Sequence, residues 1–295
     1  MKLSITATLA SLLALASHST AAPAPSAAVS GTFSLLTLNV AGLPAIISSG
    51  NPSKNTAAMG QRIRNWDHVH VQEDFNYHAT LYANDNHPYR TATSGGVPFG
   101  SGLNTVSKYN WEKFQRIKWS KCYINEADCL TPKGFTFMRL KLTPTAAIDV
   151  YNLHMDAGSQ PGDITARNSN FAQVTSFITA NSAGNAVIVM GDTNSRYTRA
   201  GETISQFTKS NNLTDAWVQH ARGGVAPPVG DAVVCGTVPA AECEVVDKIL
   251  YRSGDKVTLN ARSFAYRYNE FLDAEGKMLS DHFPLEAVIE YTVAA

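Results

Sequence analysis

Apolar residues in this chain recur mainly at the short periods of β-structure, and helical periodicity is confined to a few places. Runs that are continuously apolar, or alternate with polar residues, cover Phe33–Val40, Val69–Gln72, Trp111–Trp119, Phe135–Leu142, Ile148–Leu153, Ala186–Met190, Val245–Tyr251, Val257–Phe264 and Leu285–Tyr291. Each has the length and composition of a strand. Phe135, Phe137 and Arg139 alternate with Thr136, Met138 and Leu140, which marks a two-sided strand. Helical spacing is clear where Ile164, Phe171, Val174 and Ile178 share a face, after an N-cap at Asp163 and before Asn181 and Gly184. A shorter helix is predicted over Glu202–Asn211, with Ile204 and Phe207 inward, and Phe75–Leu81 also suits a helix. Gly-, Ser- and Pro-rich stretches at Ile47–Ser53, Ser94–Ser101 and Gly223–Gly230 read as surface loops. Many strands with few helices between them predict an α/β sandwich of two antiparallel or mixed sheets, with helices outside.

The first residues follow a different logic. Lys2 precedes a Leu- and Ala-rich run, Leu3–Ala16, and small residues at Ser19, Ala21 and Ala22 lead into Pro23–Pro25. That is the organisation of a secretory signal peptide over residues 1–22, followed by a short linker over 23–32. The apolar run is shorter than the roughly 20 residues that span a bilayer. The remaining residues, 33–295, show no repeat and no break in composition, so one exported domain is expected. Hydrophobic residues make up 44% of the chain, enough for a core and against disorder. Lys and Arg (24) balance Asp and Glu (24), which argues against a polyanion binder held by bulk charge.

The cysteines agree with export. Cys122 and Cys129, and Cys235 and Cys243, are close pairs that would close two short disulfide loops in an oxidising compartment. No CxxC or nearby His spacing favours a metal site for them. Asn212-Leu213-Thr214 is an N-glycosylation sequon.

Polar residues cluster at the ends of the predicted strands, where α/β enzymes commonly carry their chemistry. Asn39 ends the first strand and could coordinate a hard cation or bond a phosphate oxygen; a turn-forming Asn is the plainer reading. Glu73 follows the second strand, and a carboxylate at a buried strand end is costly unless paired or metal-bound. Mg²⁺ needs few protein ligands when waters and substrate phosphate complete its shell. His154 ends a third strand and could donate to a developing phosphorane oxygen, although a lone His is more often a satisfied core residue. In Gly191-Asp192-Thr193-Asn194, Asp192 could orient a water and Asn194 bond a phosphate, although Asp-x-Asn also makes ordinary turns. Asp247 opens a late strand, and Ser280-Asp281-His282-Phe283-Pro284 precedes the last. His282 is the natural general base, Asp247 could fix its tautomer, and Asp281 would then be free for metal.

The order of these residues, Asn, Glu, His, Asp-x-Asn, Asp and Asp-His, each at a strand end, resembles the endonuclease/exonuclease/phosphatase superfamily. The likeness covers about Phe33–Tyr291, and GDTN with SDHFP is its most specific part. It implies a four-layer α/β sandwich, with two central mixed sheets flanked by helices and a site along one edge. It implies Mg²⁺ or another divalent cation held mainly by Glu73, helped by Asn39, with Asp281 nearby. His154 would stabilise the pentacovalent transition state, Asp192 and Asn194 would position water and phosphate, and Asp247 would pair with His282. His282 would act as base or as a charge-stabilising donor. The implied activity is metal-dependent hydrolysis of a phosphodiester.

Ser101–Lys108, the strand that follows, Cys122…Cys129 and Lys133-Gly134-Phe135 further resemble secreted sphingomyelinases of the phospholipase C type, and secreted fungal members of the superfamily. The expected substrate is therefore a phospholipid head group, with transient contact to a membrane surface and no stable protein partner. Trp111, Phe114 and Trp119 read either as lipid-facing aromatics or as strand packing. Two features depart from the sphingomyelinase pattern: Asp156 adds a carboxylate close to His154, and no long membrane-docking hairpin is inserted. The alternatives are a secreted endonuclease, with Arg62, Arg64, Lys108, Arg167, Arg196 and Arg199 along a nucleic-acid groove, and a non-catalytic secreted binder. Arg196 is the one expected beside substrate.

Overall fold

The computed structural model describes residues 28–46 and 51–294. The expected signal peptide lies outside them. The strand elements are β1 (Val29–Asn39), β2 (His68–Gln72), β3 (Tyr89–Arg90), β4 (Asn104–Ser107), β5 (Trp111–Lys118), β6 (Gly134–Lys141), β7 (Ala147–His154), β8 (Ala186–Asp192), β9 (Thr214–Asp215), β10 (Asp247–Arg252), β11 (Val257–Tyr266) and β12 (Leu285–Val293). The helices are α1 (Pro52–Arg62), α2 (His78–Asn84), α3 (Pro161–Asn181), α4 (Ile204–Ser210) and α5 (Ala216–Ala221).

The strands form two six-stranded sheets, ordered β11-β12-β1-β2-β4-β3 and β5-β6-β7-β8-β10-β9. Each is mixed: β1 runs parallel to β2, and β7 to β8, while the other pairs run antiparallel. The alternation of side chains explains the layering. Phe33 and Leu35 face a core shared with Leu140, Ile148, Ile188 and Ile249 of the other sheet. Leu36 and Leu38, on the opposite face of β1, pack on Met59, Ile63 and Leu81 of the α1–α2 side. On the far side, Tyr151, Leu153, Val187 and Val189 meet Phe171, Val174 and Ile178 of α3. Helix, sheet, sheet and helix thus form the four layers, each sheet being apolar on both faces.

Several local readings need correction. β1 begins at Val29, inside the expected linker, because residues 29–32 pair with β12. The cap of α3 is Gln160, and Asp163 sits at N3, where its carboxylate accepts from the Gln160 backbone N–H in a capping box. The loop expected at Ile47–Ser53 gives way to α1, which starts at Pro52 behind an Asn51 cap, while residues 47–50 lie outside the described residues. The Phe75–Leu81 helix begins later, at His78. Trp119 is buried against Phe135, and Trp111 and Phe114 pack on the inter-sheet core, so the packing reading of these aromatics holds over the lipid-facing one.

Candidate functional site

Register brings the strand-end residues to one edge of the sandwich. His154, Asp192 and Asp247 occupy one row across three neighbouring strands of the second sheet. In the first sheet Asn39 pairs with Gln72, so Glu73 emerges just beyond that edge. The last strand runs antiparallel to β1, Thr37 opposite Leu285, which returns Ser280–His282 to the same end.

Backbone details fix two of these residues. Glu73 adopts a left-handed conformation (φ 56°) and is pressed between two glycines. A Cβ on Gly42 would lie 2.4 Å from the Glu73 carbonyl oxygen, and one on Gly102 would lie 2.9 Å from its Cα. Asn194 is also left-handed (φ 51°), held by an Asp192 Oδ1 bond from its own N–H (2.9 Å) and by its side chain donating to the Met155 carbonyl (3.1 Å). Strained backbone of this kind persists where the surroundings over-determine it.

The side chains converge. Asn39 Nδ2 donates to Glu73 Oε1 (3.0 Å) and Asp192 Oδ2 (3.2 Å). His154 Nε2 stands 3.4 Å from Asp192 Oδ2 and 4.0 Å from Glu73 Oε1. His282 places Nδ1 2.8 Å from Asp247 Oδ2 and Nε2 3.7 Å from Asp192 Oδ2. Ser280 locks the approach, its hydroxyl donating to the Asn39 carbonyl (2.6 Å). Asp281 is exposed and bonds only Ser280 among the described residues, but its charge acts on both Glu73 and His282. A cleft of about 760 Å³ opens beside His282, lined also by Asn194, Asp247, Asp281 and Arg196. The guanidinium Nε of Arg196 is buried there without a partner.

Electrostatics divides the two histidines. Burial holds the pKa of His154 well below the ordinary value, aided by the charges of Lys133 and His282, so His154 is neutral. Burial would lower His282 too, but the Asp247, Asp192 and Asp281 carboxylates outweigh it and hold it well above the ordinary value. Burial raises both Glu73 and Asp192, with Asp281 adding repulsion at Glu73 and Asp247 at Asp192. Two desolvated carboxylates tied to one amide are short of positive charge, and their oxygens are the donors a hard divalent cation prefers. Glu73 and Asp192 therefore fit such an ion, while Asn39, expected from sequence to help hold it, turns its amide nitrogen to the two carboxylates and its Oδ1 accepts from the Ala41 N–H (3.0 Å). Asp192, Asp247 and His282 also place ligand atoms within 4.8 Å of one another. The Asp247 bond already occupies His282 Nδ1, which leaves the Glu73 side as the better cation site.

Endonuclease/Exonuclease/phosphatase family 2 matches residues 54–220, more than half of the chain. The chain belongs to that family. It is 40% identical over 276 residues to a sphingomyelinase of Mycobacterium bovis and, to the same extent, to one of Mycobacterium tuberculosis. Each match covers 90% of this chain and 54% of the relative, so the chain spans about half the length of the curated relatives it matches. The fold is similar to that of sphingomyelinase C from Streptomyces griseocarneus, with TM-score 0.60 at 18% identity, over 88% of this chain and 99% of that one. A beta toxin mutant of Staphylococcus aureus, solved with bound magnesium ions, aligns with TM-score 0.59 at 16% identity, over 87% and 99%. At such identities these two likenesses speak to the fold.

Within this family member, some residues expected near substrate lie elsewhere. Arg167 is fully buried and bonds Glu202 at 2.6 Å. Arg199 pairs with Glu202, Lys108 with Asp67, Arg62 bonds the Leu272 carbonyl and Arg64 the Asn84 carbonyl. A continuous basic nucleic-acid groove of those residues is not formed; of the six, Arg196 and Arg199 line the cleft. Asp156 is buried and accepts from the Tyr123 N–H (2.7 Å), in a group with Asp128 and Asp163.

Several residues to which the sequence assigned no individual role support the site. Asn104 donates to Asp74 (2.7 Å), which also holds His78 (2.6 Å) directly behind Glu73. Gln72 and Asn152 bond each other (2.8 Å) across the two sheets. Lys133, ion-paired to Asp128, puts positive charge on Glu73, His154 and Asp192. The Asn and Gln residues gave no signal because each sits inside a strand that pairs normally. Lys133 has one local clue, a Lys directly before the Gly that opens an apolar strand.

Proposed function

We propose that the protein is an exported, divalent-metal-dependent phosphodiesterase of the sphingomyelinase type, which hydrolyses the head-group phosphodiester of a phospholipid. The observation that carries this reading is the meeting of Asn39, His154 and His282 on one oxygen, Asp192 Oδ2, within 3.7 Å, with Glu73 on the same Asn39 amide. The 40% identity to mycobacterial sphingomyelinases supports the lipid substrate. The apolar run after Lys2 and the disulfides Cys122–Cys129 and Cys235–Cys243 support export, and the sequon residue Asn212 is exposed.

Roles follow from the geometry. Glu73, with Asp192 beside it and Asp281 nearby, would hold Mg²⁺ or a similar ion, and Asn39 would orient the two carboxylates through its amide N–H. Such an ion, when bound, supplies positive charge to the phosphate oxygens and offsets the carboxylates that keep His282 protonated. His282 Nε2 faces Asp192 in the cleft, placed to take a proton from an attacking water as Asp247 fixes the ring. Asp192 and Asn194 orient water and phosphate. Neutral His154 donates a hydrogen bond to the phosphoryl oxygen as its charge grows. Arg196 reaches the substrate from the cleft wall.

The test is direct. Purified protein should release phosphocholine from sphingomyelin vesicles in Mg²⁺, cease in chelator, and leave plasmid DNA intact. Undiminished turnover in chelator would remove the metal from the reading, and nicking of DNA without lipid hydrolysis would replace the substrate class.

A further inference from the structure

Two disulfide-closed loops border the cleft. The Cys122–Cys129 loop carries Asn125, which comes so near Gly158 that a Cβ there would lie 2.9 Å from Asn125 Nδ2. Gly158 lines the cleft with Asn194 and His282. Cys235, Gly236 and Thr237 of the Cys235–Cys243 loop line the same cleft.

Both loops present large apolar side chains to solvent. Ile124 (64% exposed) and Leu130 (60%) flank the first disulfide, and Val238 (63%) sits on the second. Phe99 (85%) borders a second hollow, which it shares with Lys118 and Pro132 on the two chain segments flanking the first loop. Single exposed apolar residues are ordinary. Four in and beside these loops, two of them (Ile124 and Val238) inside short covalently closed loops and Leu130 next to a disulfide cysteine, are a different pattern, because such loops have little conformational freedom left to lose on docking. Lys118 and Lys121 are exposed at the base of the first loop, whose exposed acidic residue is Glu126 (Asp128 is buried), and Glu242 is exposed on the second. Apolar tips backed by exposed lysines match a phospholipid surface, where acyl carbon lies just below anionic phosphate.

The first loop is also tied to the strand end that carries His154. The Tyr123 N–H donates to Asp156 Oδ2 (2.7 Å), and the Ala157 N–H donates to Asp128 Oδ2 (2.5 Å). Contact at the tips is therefore held in fixed relation to the catalytic edge.

We propose that Phe99, Ile124, Leu130 and Val238 form a lipid-docking rim, entering the interfacial region of a phospholipid surface while Lys118 and Lys121 meet lipid phosphates. Trp111, Phe114 and Trp119, for which a lipid-facing role was one of two readings from sequence, take no part in this rim because they pack in the core. The inference rests on the reading that the cleft acts on a phospholipid, and the experiment separates the two.

Full-length protein and the triple variant Phe99→Ser/Ile124→Ser/Leu130→Ser are compared for co-sedimentation with vesicles of sphingomyelin and phosphatidylcholine, with and without phosphatidylserine. Turnover of the soluble diester bis(p-nitrophenyl) phosphate is measured in parallel. The three positions are exposed, so the variant should fold, and an unchanged thermal melt verifies this. Vesicle partitioning is expected to fall by about tenfold or more, with soluble turnover unchanged. Lys118→Gln/Lys121→Gln should remove the extra binding that phosphatidylserine confers. Equal partitioning of wild type and triple variant overturns the proposal. So does a loss of self-association in the variant with vesicle binding intact, which would make the tips a contact between copies of this chain. Rim-dependent vesicle binding by a protein that turns over no diester would leave the rim standing and remove the phosphodiesterase reading.

Discussion

Asp192 Oδ2 accepts from Asn39 at 3.2 Å and also faces His154 and His282 at 3.4 and 3.7 Å, so losing either histidine leaves it hydrogen-bonded. Single-residue changes here should therefore alter chemistry more than stability. His282→Ala is expected to lower kcat on a soluble diester by about 10²–10⁴-fold, the range of general acid–base catalysis. An unaltered rate would clear His282 of any part in proton transfer. Asp156 offers a contrasting prediction in stability. Burial, which outweighs its Tyr123 hydrogen bond, pushes its carboxyl from the ordinary 3.8 up to about 6, with the nearby Asp128 and Asp163 charges adding to the rise. A carboxyl whose pKa is higher in the folded state binds a proton on folding between those two values. Its contribution favours the folded state most below the lower value and declines as pH rises through about 6, where the folded protein must carry a disfavoured charge. Asp156→Asn should then melt higher than wild type above pH 6 in chelator-treated protein, and alike near pH 4. Identical pH profiles would contradict this account.

Elements decide how much of this was legible beforehand. β1, β6, β7 and β8 were readable because a strand buried on both faces leaves an almost unbroken apolar run, as in Ala186–Met190. β4 was missed because Asn104–Ser107 reads as polar, yet all four residues are buried between β2 and β3. α1 was missed because its buried residues, Pro52, Thr56, Met59 and Gly60, make a weak apolar stripe. The site motifs could be read in order, but their meeting could not. It depends on the register that sets His154, Asp192 and Asp247 in a row, which no local pattern encodes. Gly191 shows what that register demands. With φ 140°, it lies where a Cβ would come 2.2 Å from the Leu153 carbonyl oxygen of the parallel neighbour. Gly191→Ala must push β7 and β8 apart at the row that carries the site. A loss of about 1–3 kcal/mol is expected from denaturant midpoints, with reduced activity in the protein that remains folded. A variant as stable and active as wild type would show that the strand ends tolerate separation.

On the scale of the whole molecule, the two sheets meet with their carboxylate-bearing ends at one edge, so acidic groups from distant parts of the chain are forced together. Glu73 and Asp192 come from different sheets, and burial raises the pKa of both. Charge concentrated in that way opposes the docking of one sheet on the other unless a cation shares it. An ion bound only by the folded chain stabilises it by mass action, by about 2.7 kcal/mol at a free concentration about a hundred times its Kd. Adding Mg²⁺ to chelator-treated protein should therefore raise Tm progressively with concentration, in a measurement that needs no substrate. Glu73→Gln removes one of the two charges and the proposed main ligand. It should start from an equal or higher Tm in chelator, because the repulsion is relieved, and gain far less on addition of the ion. The opposite signs in the two conditions separate a ligand from a merely structural glutamate, whose loss would lower Tm alike in both. If wild type and Glu73→Gln rise by the same amount, the ion binds elsewhere, and the carboxylates at this edge must be balanced by His282 and Lys133 alone.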